Sequence, residues 1–294
     1  MSKLTFLDVF AGSSALSESC IRADFEPIAH VETDQAACFT IRTRATYHWL
    51  KNNGQINKYL DYLNGKISRN DLYSLTPKHI ADSVINGVIS KEQNTEIFHR
   101  IDSLLGNRKL DLLIGGPPCQ AYSLVGRSRD KNRMVGDERN YLYIQYAEFL
   151  KRYNPQYFLF ENVVGLLSAK TPNGNSYLVL MVTLFKSIGY EVEYEVLCAN
   201  EYGVPQKRKR VILVGKRGKK TGFFPSPEKW TPKDLSIKEV FDDLPKLNSG
   251  EGLMRGGEFK DYKGTYLYDS GIRNGKVPVT FHTARPHTEQ DKEI

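Results

Sequence analysis

Two hydrophobic patterns recur along this chain. Leu4-Thr5-Phe6-Leu7-Asp8-Val9-Phe10 is almost continuously apolar and runs into a turn of small residues, Ala11-Gly12-Ser13-Ser14. A run of that kind is the signature of a parallel strand covered on both faces. Residues 15–23 then take up helical spacing, and Pro27-Ile28-Ala29-His30-Val31 reads as a second strand stopping at the acid Glu32. A helix over residues 34–50 follows, with Asp34 as its N-cap. The result is a strand–helix–strand unit with a small-residue turn after its first strand and an acid after its second.

Asn52-Asn53-Gly54 and Asn64-Gly65 mark turns in the next stretch, and residues 78–101 are expected to be helical. Residues 110–114 form a buried strand stopped by Gly115-Gly116-Pro117-Pro118. A polar loop (residues 123–139), a helix (141–153) and the strand Tyr157-Phe158-Leu159-Phe160 come next. Residues 190–198 and 211–214 read as strands joined by a turn too short for a crossover helix, so they are expected to be antiparallel. The fold class is therefore α/β: a Rossmann-like, mostly parallel sheet with an antiparallel edge hairpin and a loop-rich C-terminal segment. After about residue 222 the periodicity gives way to Pro, Gly, Tyr and charged residues, and helical spacing resumes only at 287–294. This divides the chain into residues 1–222, which carry the patterned elements, and residues 223–294.

A chain of 294 residues, 40% hydrophobic and 26% charged, can bury one substantial core with a smaller unit attached. No apolar run approaches the roughly 20 residues of a membrane span, and no secretory signal precedes the first strand, so a cytoplasmic location is expected. Four scattered cysteines (Cys20, Cys38, Cys119, Cys198) show no zinc-type spacing. Reduced thiols and no metal are expected. The net charge is +7, yet residues 206–220 alone carry eight basic groups and no acid, and without them the chain is at −1. A concentrated basic stripe suits a polyanion such as nucleic acid, although a merely solvated surface run has the same composition.

Three constellations carry chemistry. The turn from Asp8 through Phe10, Ala11, Gly12, Ser13 and Ser14 can bring backbone amides close to a ligand, and Glu32 is placed to accept hydrogen bonds from ribose hydroxyls. The absence of a third glycine argues against NAD or FAD and leaves adenosine-type ligands open. Cys119 follows two prolines at the C-terminal edge of a buried strand, where ligands bind in open α/β sheets. The prolines remove two amide donors and make a rigid mount that a structural cysteine does not need; a thiolate there can act as a nucleophile. Glu161-Asn162-Val163 ends the next strand at the same edge. A carboxylic acid in that place can protonate a substrate ring nitrogen if burial raises its pKa. In Gln206-Lys207-Arg208-Lys209-Arg210, alternation puts Gln206, Arg208 and Arg210 on one face.

Taken together, Asp8-x-Phe10-Ala11-Gly12, Pro117-Pro118-Cys119-Gln120, Glu161-Asn162-Val163 and Gln206-x-Arg208-x-Arg210 resemble, in order and spacing, the motifs of the cytosine-C5 methyltransferase family. The resemblance covers roughly residues 4–215. It implies the class I S-adenosylmethionine methyltransferase fold and S-adenosyl-L-methionine as cofactor, with S-adenosyl-L-homocysteine as product. It implies that Asp8, Phe10, Ala11, Gly12, Ser13 and Ser14 form the cofactor turn, with Glu32 on the ribose, Asp71 and Leu72 near the adenine, and Pro117 and Leu142 closing the pocket. An apparent insertion spans residues 51–68. Cys119 is implied as nucleophile, while Glu161, Arg208 and Arg210 hold the cytosine. Double-stranded DNA is the implied substrate, its base flipped out of the helix, with Gln120, Ser123, Arg127, Arg129, Arg133 and Gln206 as DNA contacts. Ser13-Ser14-Ala15 departs from the family's glycine-rich continuation.

Family members continue with a target-recognition region and two final motifs that this sequence does not show. Phe281-His282-Thr283-Ala284-Arg285-Pro286-His287 resembles the entry to that region. Residues 1–222 are thus expected to be the catalytic, cofactor-binding domain. Residues 223–294 are expected to be a linker and the start of a recognition region, completed by further chain or by a second polypeptide. Two other readings stay open: a tRNA cytosine-5 methyltransferase, and a non-catalytic remnant that binds cofactor or DNA.

Overall fold

The computed structural model describes residues 3–118, 141–218, 221–230, 237–260, 266–273 and 277–292. By contacts the chain forms two compact units, Met1–Arg42 with Lys78–Thr231, and Thr43–Pro77 with Pro232–Ile294.

The first unit is built on a seven-stranded sheet: β1 (Thr5–Val9), β2 (Glu26–Glu32), β3 (Val84–Asn86), β4 (Leu112–Gly115), β5 (Tyr157–Val163), β6 (Tyr190–Cys198) and β7 (Lys209–Arg217). Their spatial order is β3-β2-β1-β4-β5-β7-β6. The pairs from β3 to β5 are parallel, whereas β7 runs antiparallel to both β5 and β6. This is the mostly parallel α/β sheet with an antiparallel edge hairpin that the sequence implies. Every residue of β1 is buried, as expected of its almost continuously apolar run, Asp8 included. The order reverses between β1 and β4, and such a switch point opens a crevice at the carboxyl ends of the strands.

The helices α1 (Ala15–Arg22), α2 (Gln35–Asn52), α5 (Lys78–Asp82), α6 (Asn94–Leu105), α7 (Leu142–Tyr153) and α8 (Tyr177–Ser187) connect these strands, with α3 (Ile56–Leu63) and α4 (Arg69–Ser74) between α2 and α5. Asp34 caps α2 as expected: its Oδ1 accepts a hydrogen bond from the Ala37 amide at 2.7 Å. The stretch expected to be helical over 78–101 instead holds the short strand β3 between α5 and α6. Aromatic rings fill the core between β5, α7 and α8. Tyr146 lies 5.2 Å from Phe160, and Phe158 lies 4.9 Å from Phe185, both edge to face. The Tyr146 hydroxyl reaches the carbonyls of Leu113 on β4 and Leu159 on β5, each at 3.1 Å, which ties together the two strands that end at the site.

In the second unit, the apparent insertion at 51–68 is mostly α3. Tyr62 packs with Leu50 and Leu72 in a small core of its own. The Arg255 guanidinium lies 4.2 Å from the centroid of the Tyr62 ring. Asp243, 2% exposed, pairs with Arg273 at 2.6 Å. Short strands β8 (Gly252–Leu253) and β9 (His282–Thr283) pair antiparallel.

Candidate active site

The turn after β1 is tightly wound. Phe10, Gly12 and Ser14 all have positive φ, at 59°, 54° and 69°. A bulky residue rarely adopts that conformation, and strain of this sort collects at functional sites. The turn is held by amides: Ala11 donates to the Val31 carbonyl at 3.1 Å, and Ser14 donates to the Ala11 carbonyl at 2.8 Å. Gly12 donates to Glu32 Oε2 at 2.7 Å, while Glu32 Oε1 accepts from the amides of Thr33 and Asp34, both at 2.8 Å. The acid at the end of β2 is thus wired directly to the turn at the end of β1.

Beside this turn is a cavity of about 680 Å³, within the range of small-molecule sites. Phe10, Gly12, Glu32 and Leu142, four of the residues expected at a cofactor pocket, line it. So do Gly116 and Pro118, on either side of Pro117. Ser13 is exposed, and Ser14 is buried as the N-cap of α1. Ala11 is buried against Cys38, Ile41 and Val84 rather than turned to the cavity.

Ala11 and Pro117 are thus not on the lining, and other expectations need correction too. Asp8 does not reach the cavity: its side chain, 1% exposed, accepts a hydrogen bond from Ser17 Oγ beneath the turn. Burial pushes its carboxyl up to about 7, against the lowering effect of Ser17 and with a further rise from nearby Glu32. Asp71 and Leu72 are not among the lining residues either. Asp71 closes a capping box with Ser68 at the start of α4, and Leu72 is fully buried in the core of the second unit. The wall expected from them is supplied instead by Gly87, Val88, Ile89 and Ser90, immediately after β3. The sequence reading also missed Val31, Thr33, Tyr141 and Gln145 on the lining. A Tyr141–Leu142 pair at the head of α7, one turn before Gln145, was the available signal.

The end of β4 meets the end of β5. Asn162, 1% exposed, donates from Nδ2 to the Pro117 carbonyl at 3.2 Å, and its Oδ1 accepts from the Val163 amide at 2.9 Å. The Pro-Pro segment, with two amides removed by its own chemistry, is thereby tied to β5 through a carbonyl. Glu161 lies just beside it, since a Cβ at Gly116 would stand 3.0 Å from Glu161 Oε2. A side chain at Gly116 would therefore require Glu161 to give by a few tenths of an ångström. Arg210 donates from Nε to Glu161 Oε1 at 2.6 Å, both side chains being about one-quarter exposed. The Arg210–Glu161 pair follows from the β5–β7 register, in which Glu161 stands opposite Ile212 and Val163 opposite Arg210. Gln206 and Arg208 are exposed in the connection before β7. Cys119, Gln120, Ser123, Arg127, Arg129 and Arg133 lie outside the described residues.

Among the described residues no cluster of His, Cys, Asp and Glu is arranged to hold a metal ion. No helix among them is long and apolar enough to cross a membrane.

Residues 78–274 match the profile of the C-5 cytosine-specific DNA methylase family. The chain is 35% identical to the type II methyltransferase M.Bpa9945I of Bacillus paralicheniformis, with 98% of this chain and 72% of that protein aligned. It is also 35% identical to the type II methyltransferase M.DdeI of Desulfomicrobium norvegicum, over 62% of this chain and 43% of that one. The chain therefore spans from under half to about three-quarters of these relatives. Its fold is similar to that of a solved E. coli prophage-encoded protein assigned as a DNA modification methyltransferase. The two align with a TM-score of 0.56 at 23% identity, over 94% of this chain and 66% of that one.

Proposed function

We propose, since this chain belongs to the C-5 cytosine-specific DNA methylase family, that it transfers a methyl group from S-adenosyl-L-methionine to C5 of cytosine in double-stranded DNA. The observation that carries the reading is the meeting of β4 and β5. There a carboxylate braced by an arginine abuts the backbone that leads into Cys119. In this reading residues 1–222 are the catalytic part, residues 223–294 lead into target recognition, and the protein works in the cytoplasm.

The cavity fits the cofactor chemically. Val31, Val88 and Ile89 offer apolar walls to a purine, Glu32 is an acceptor at the end of β2 for ribose hydroxyls, and nothing lies within 4 Å of the side-chain position of Gly12. Phe10, Gly12, Glu32, Pro118 and Leu142, which line the cavity, would hold it, with Pro117 buried behind them and Asp8 acting from beneath the turn through Ser17. When bound, the sulfonium supplies an electrophilic methyl group.

The protein's own residues prepare the base. Cytosine C5 is too weak a nucleophile to accept a methyl cation equivalent unaided. The Cys119 thiolate adds to C6, and the displaced electron pair moves to N3, which takes a proton from Glu161. The resulting enamine is nucleophilic at C5. After methylation a base removes the C5 proton, the C5–C6 double bond re-forms, and the thiolate is expelled while N3 returns its proton to Glu161. Arg210 holds Glu161 in register for both transfers, and Arg208 faces the base. The basic residues Arg127, Arg129 and Arg133, with Gln120, Ser123 and Gln206, contact the DNA around the flipped nucleotide.

Duplex DNA carrying 5-fluorocytosine tests the proposal, because fluorine at C5 cannot leave as a proton and the adduct persists. A cofactor-dependent covalent complex that Cys119→Ala abolishes is the expected result. Transfer of tritiated methyl groups to tRNA and not to DNA would replace the DNA reading with the RNA one. Binding of cofactor without any adduct or transfer would leave only a binding protein.

A further inference from the structure

The connection between β6 and β7 carries Gln206 and Arg208, and it is fastened from outside the hairpin. Its own hydrogen bonds close it at the base: the Ala199 amide donates to the Arg208 carbonyl at 2.9 Å and the Val204 amide to the Ala199 carbonyl at 3.2 Å. Two tight links, from the Gln206 amide to the Val204 carbonyl at 2.7 Å and from the Arg208 amide to the Gln206 carbonyl at 2.8 Å, follow. Residues 204–208 are nonetheless all exposed, so no core packing decides where Arg208 stands.

The outside fastening is the segment 221–230. At its start the Glu193 carboxylate on β6 accepts the amides of Gly222, Phe223 and Phe224. At its end Lys229 pairs with Glu201 at 2.6 Å, and the Trp230 amide donates to the Glu201 carbonyl at 2.8 Å. Tyr202 and Trp230 form a parallel bridge. The indole then packs against Gly203, whose φ is +81°; a Cβ there would stand only 2.6 Å from two ring carbons. Trp230 is still 59% exposed, so it is not a core residue. Its contact is with a backbone position of the loop whose positive φ favours glycine.

We propose that Trp230 is a positioning residue for Arg208: by pressing on Gly203 it holds the β6–β7 connection in the conformation that presents Arg208 to the cytosine. The proposal rests on the role given to Arg208 above. Trp230 touches neither base nor cofactor in this scheme; it acts only through the loop.

Five variants of this chain test it: Trp230→Ala, Trp230→Phe, Gly203→Ala, Arg208→Ala and the double Trp230→Ala/Arg208→Ala. Single-turnover methyl transfer at saturating duplex DNA and cofactor is read beside cofactor affinity, DNA affinity and melting temperature. Misplacing a group that must meet a reacting base costs on the order of 10- to 100-fold in rate. Trp230→Ala and Gly203→Ala are therefore expected to slow transfer about 10-fold or more with cofactor affinity unchanged, and Trp230→Phe to recover most of the rate. The double variant should be no slower than Arg208→Ala, because the tryptophan acts through that arginine. Additive losses, a full rate in Trp230→Ala, or a deficit confined to DNA affinity would overturn the proposal. Arg208→Ala at full rate would instead remove the reading of Arg208 on which it stands.

Discussion

Asn162 and Pro117 meet through one hydrogen bond, from the Asn162 side-chain amide to the Pro117 carbonyl at 3.2 Å, and that bond joins the strand carrying Glu161 to the segment carrying Cys119. Asn162→Ala leaves a buried carbonyl without this donor, which costs about 1–3 kcal/mol of stability. It also frees the two reacting groups to drift apart. Adduct formation with 5-fluorocytosine DNA is expected to slow by roughly 10- to 100-fold, with cofactor affinity held. Equal rates for variant and parent would show that the bond does not register the two groups.

Glu161→Gln keeps a carbonyl oxygen for Arg210 but cannot give up a proton in the same way. Methyl transfer is expected to fall about 10²- to 10⁴-fold, the span of general acid catalysis. Circular dichroism and melting temperature should stay near those of the parent, since the contact at 2.6 Å retains an acceptor. A variant within tenfold of the parent would exclude Glu161 as the proton donor.

Asp8 and His30 are register partners on β1 and β2, both at most 2% exposed, and they bend the pH profile in opposite directions. Asp8 Oδ1 and both ring nitrogens of His30 have no hydrogen-bond partner among the described residues. Burial raises the Asp8 carboxyl from 3.8 to about 7, so its folded form holds a proton more tightly than its unfolded form. The stability that this contributes is present below 3.8 and is lost as pH rises towards 7. Burial lowers His30 from 6.5 to about 4. Its contribution is therefore present above 6.5 and lost as pH falls towards 4. Denaturant unfolding between pH 4 and 7.5 should show the two slopes largely offsetting in the parent. Asp8→Asn should become less stable, relative to the parent, as pH falls; His30→Leu should show the reverse. Parallel profiles for all three proteins would contradict the assignment.

Leu72 and Val88 separate the core of the second unit from the wall of the cavity. Leu72→Ala is expected to cost about 2–5 kcal/mol, as for other fully buried leucines, with little effect on cofactor affinity of the folded protein. Val88→Asp, at an exposed position on the lining, should do the opposite. Calorimetric titration and a thermal melt on each variant distinguish the two. Weakened cofactor binding in Leu72→Ala alone would return residues 71 and 72 to the adenine pocket.

What the sequence made legible follows from the size of each signal. The β1 run is five buried residues in a row, and the β6–β7 hairpin is two long strands with little chain between them, so both stood out. Glu32 was readable because a charge that closes an apolar strand is costly unless polar groups meet it there. β3 spans only Val84–Asn86, too short for a period of two to register against its helical surroundings. The residues after so short a strand carry no signal that assigns them to the cavity, and the placement of Asp71 and Leu72 there rested on the family resemblance alone. The clamp of Asn162 on Pro117 and the meeting of Arg210 with Glu161 depend on strand order. β7 lies between β5 and β6, although it follows both in the chain. No local pattern encodes that insertion.

Glu32 sets a limit on how a nucleoside can be received. A carboxylate has about four lone-pair seats, and the amides of Gly12, Thr33 and Asp34 occupy three of them. A ribose diol brings two hydroxyl donors to one vacant seat. The first hydroxyl docks without disturbance, whereas the second must evict an amide or find another acceptor. The amide on the less crowded oxygen belongs to Gly12, in the turn itself. In the proposed reading, seating both ribose hydroxyls on Glu32 would draw on the Gly12 amide, and binding of the nucleoside would be coupled to the conformation of the turn after β1.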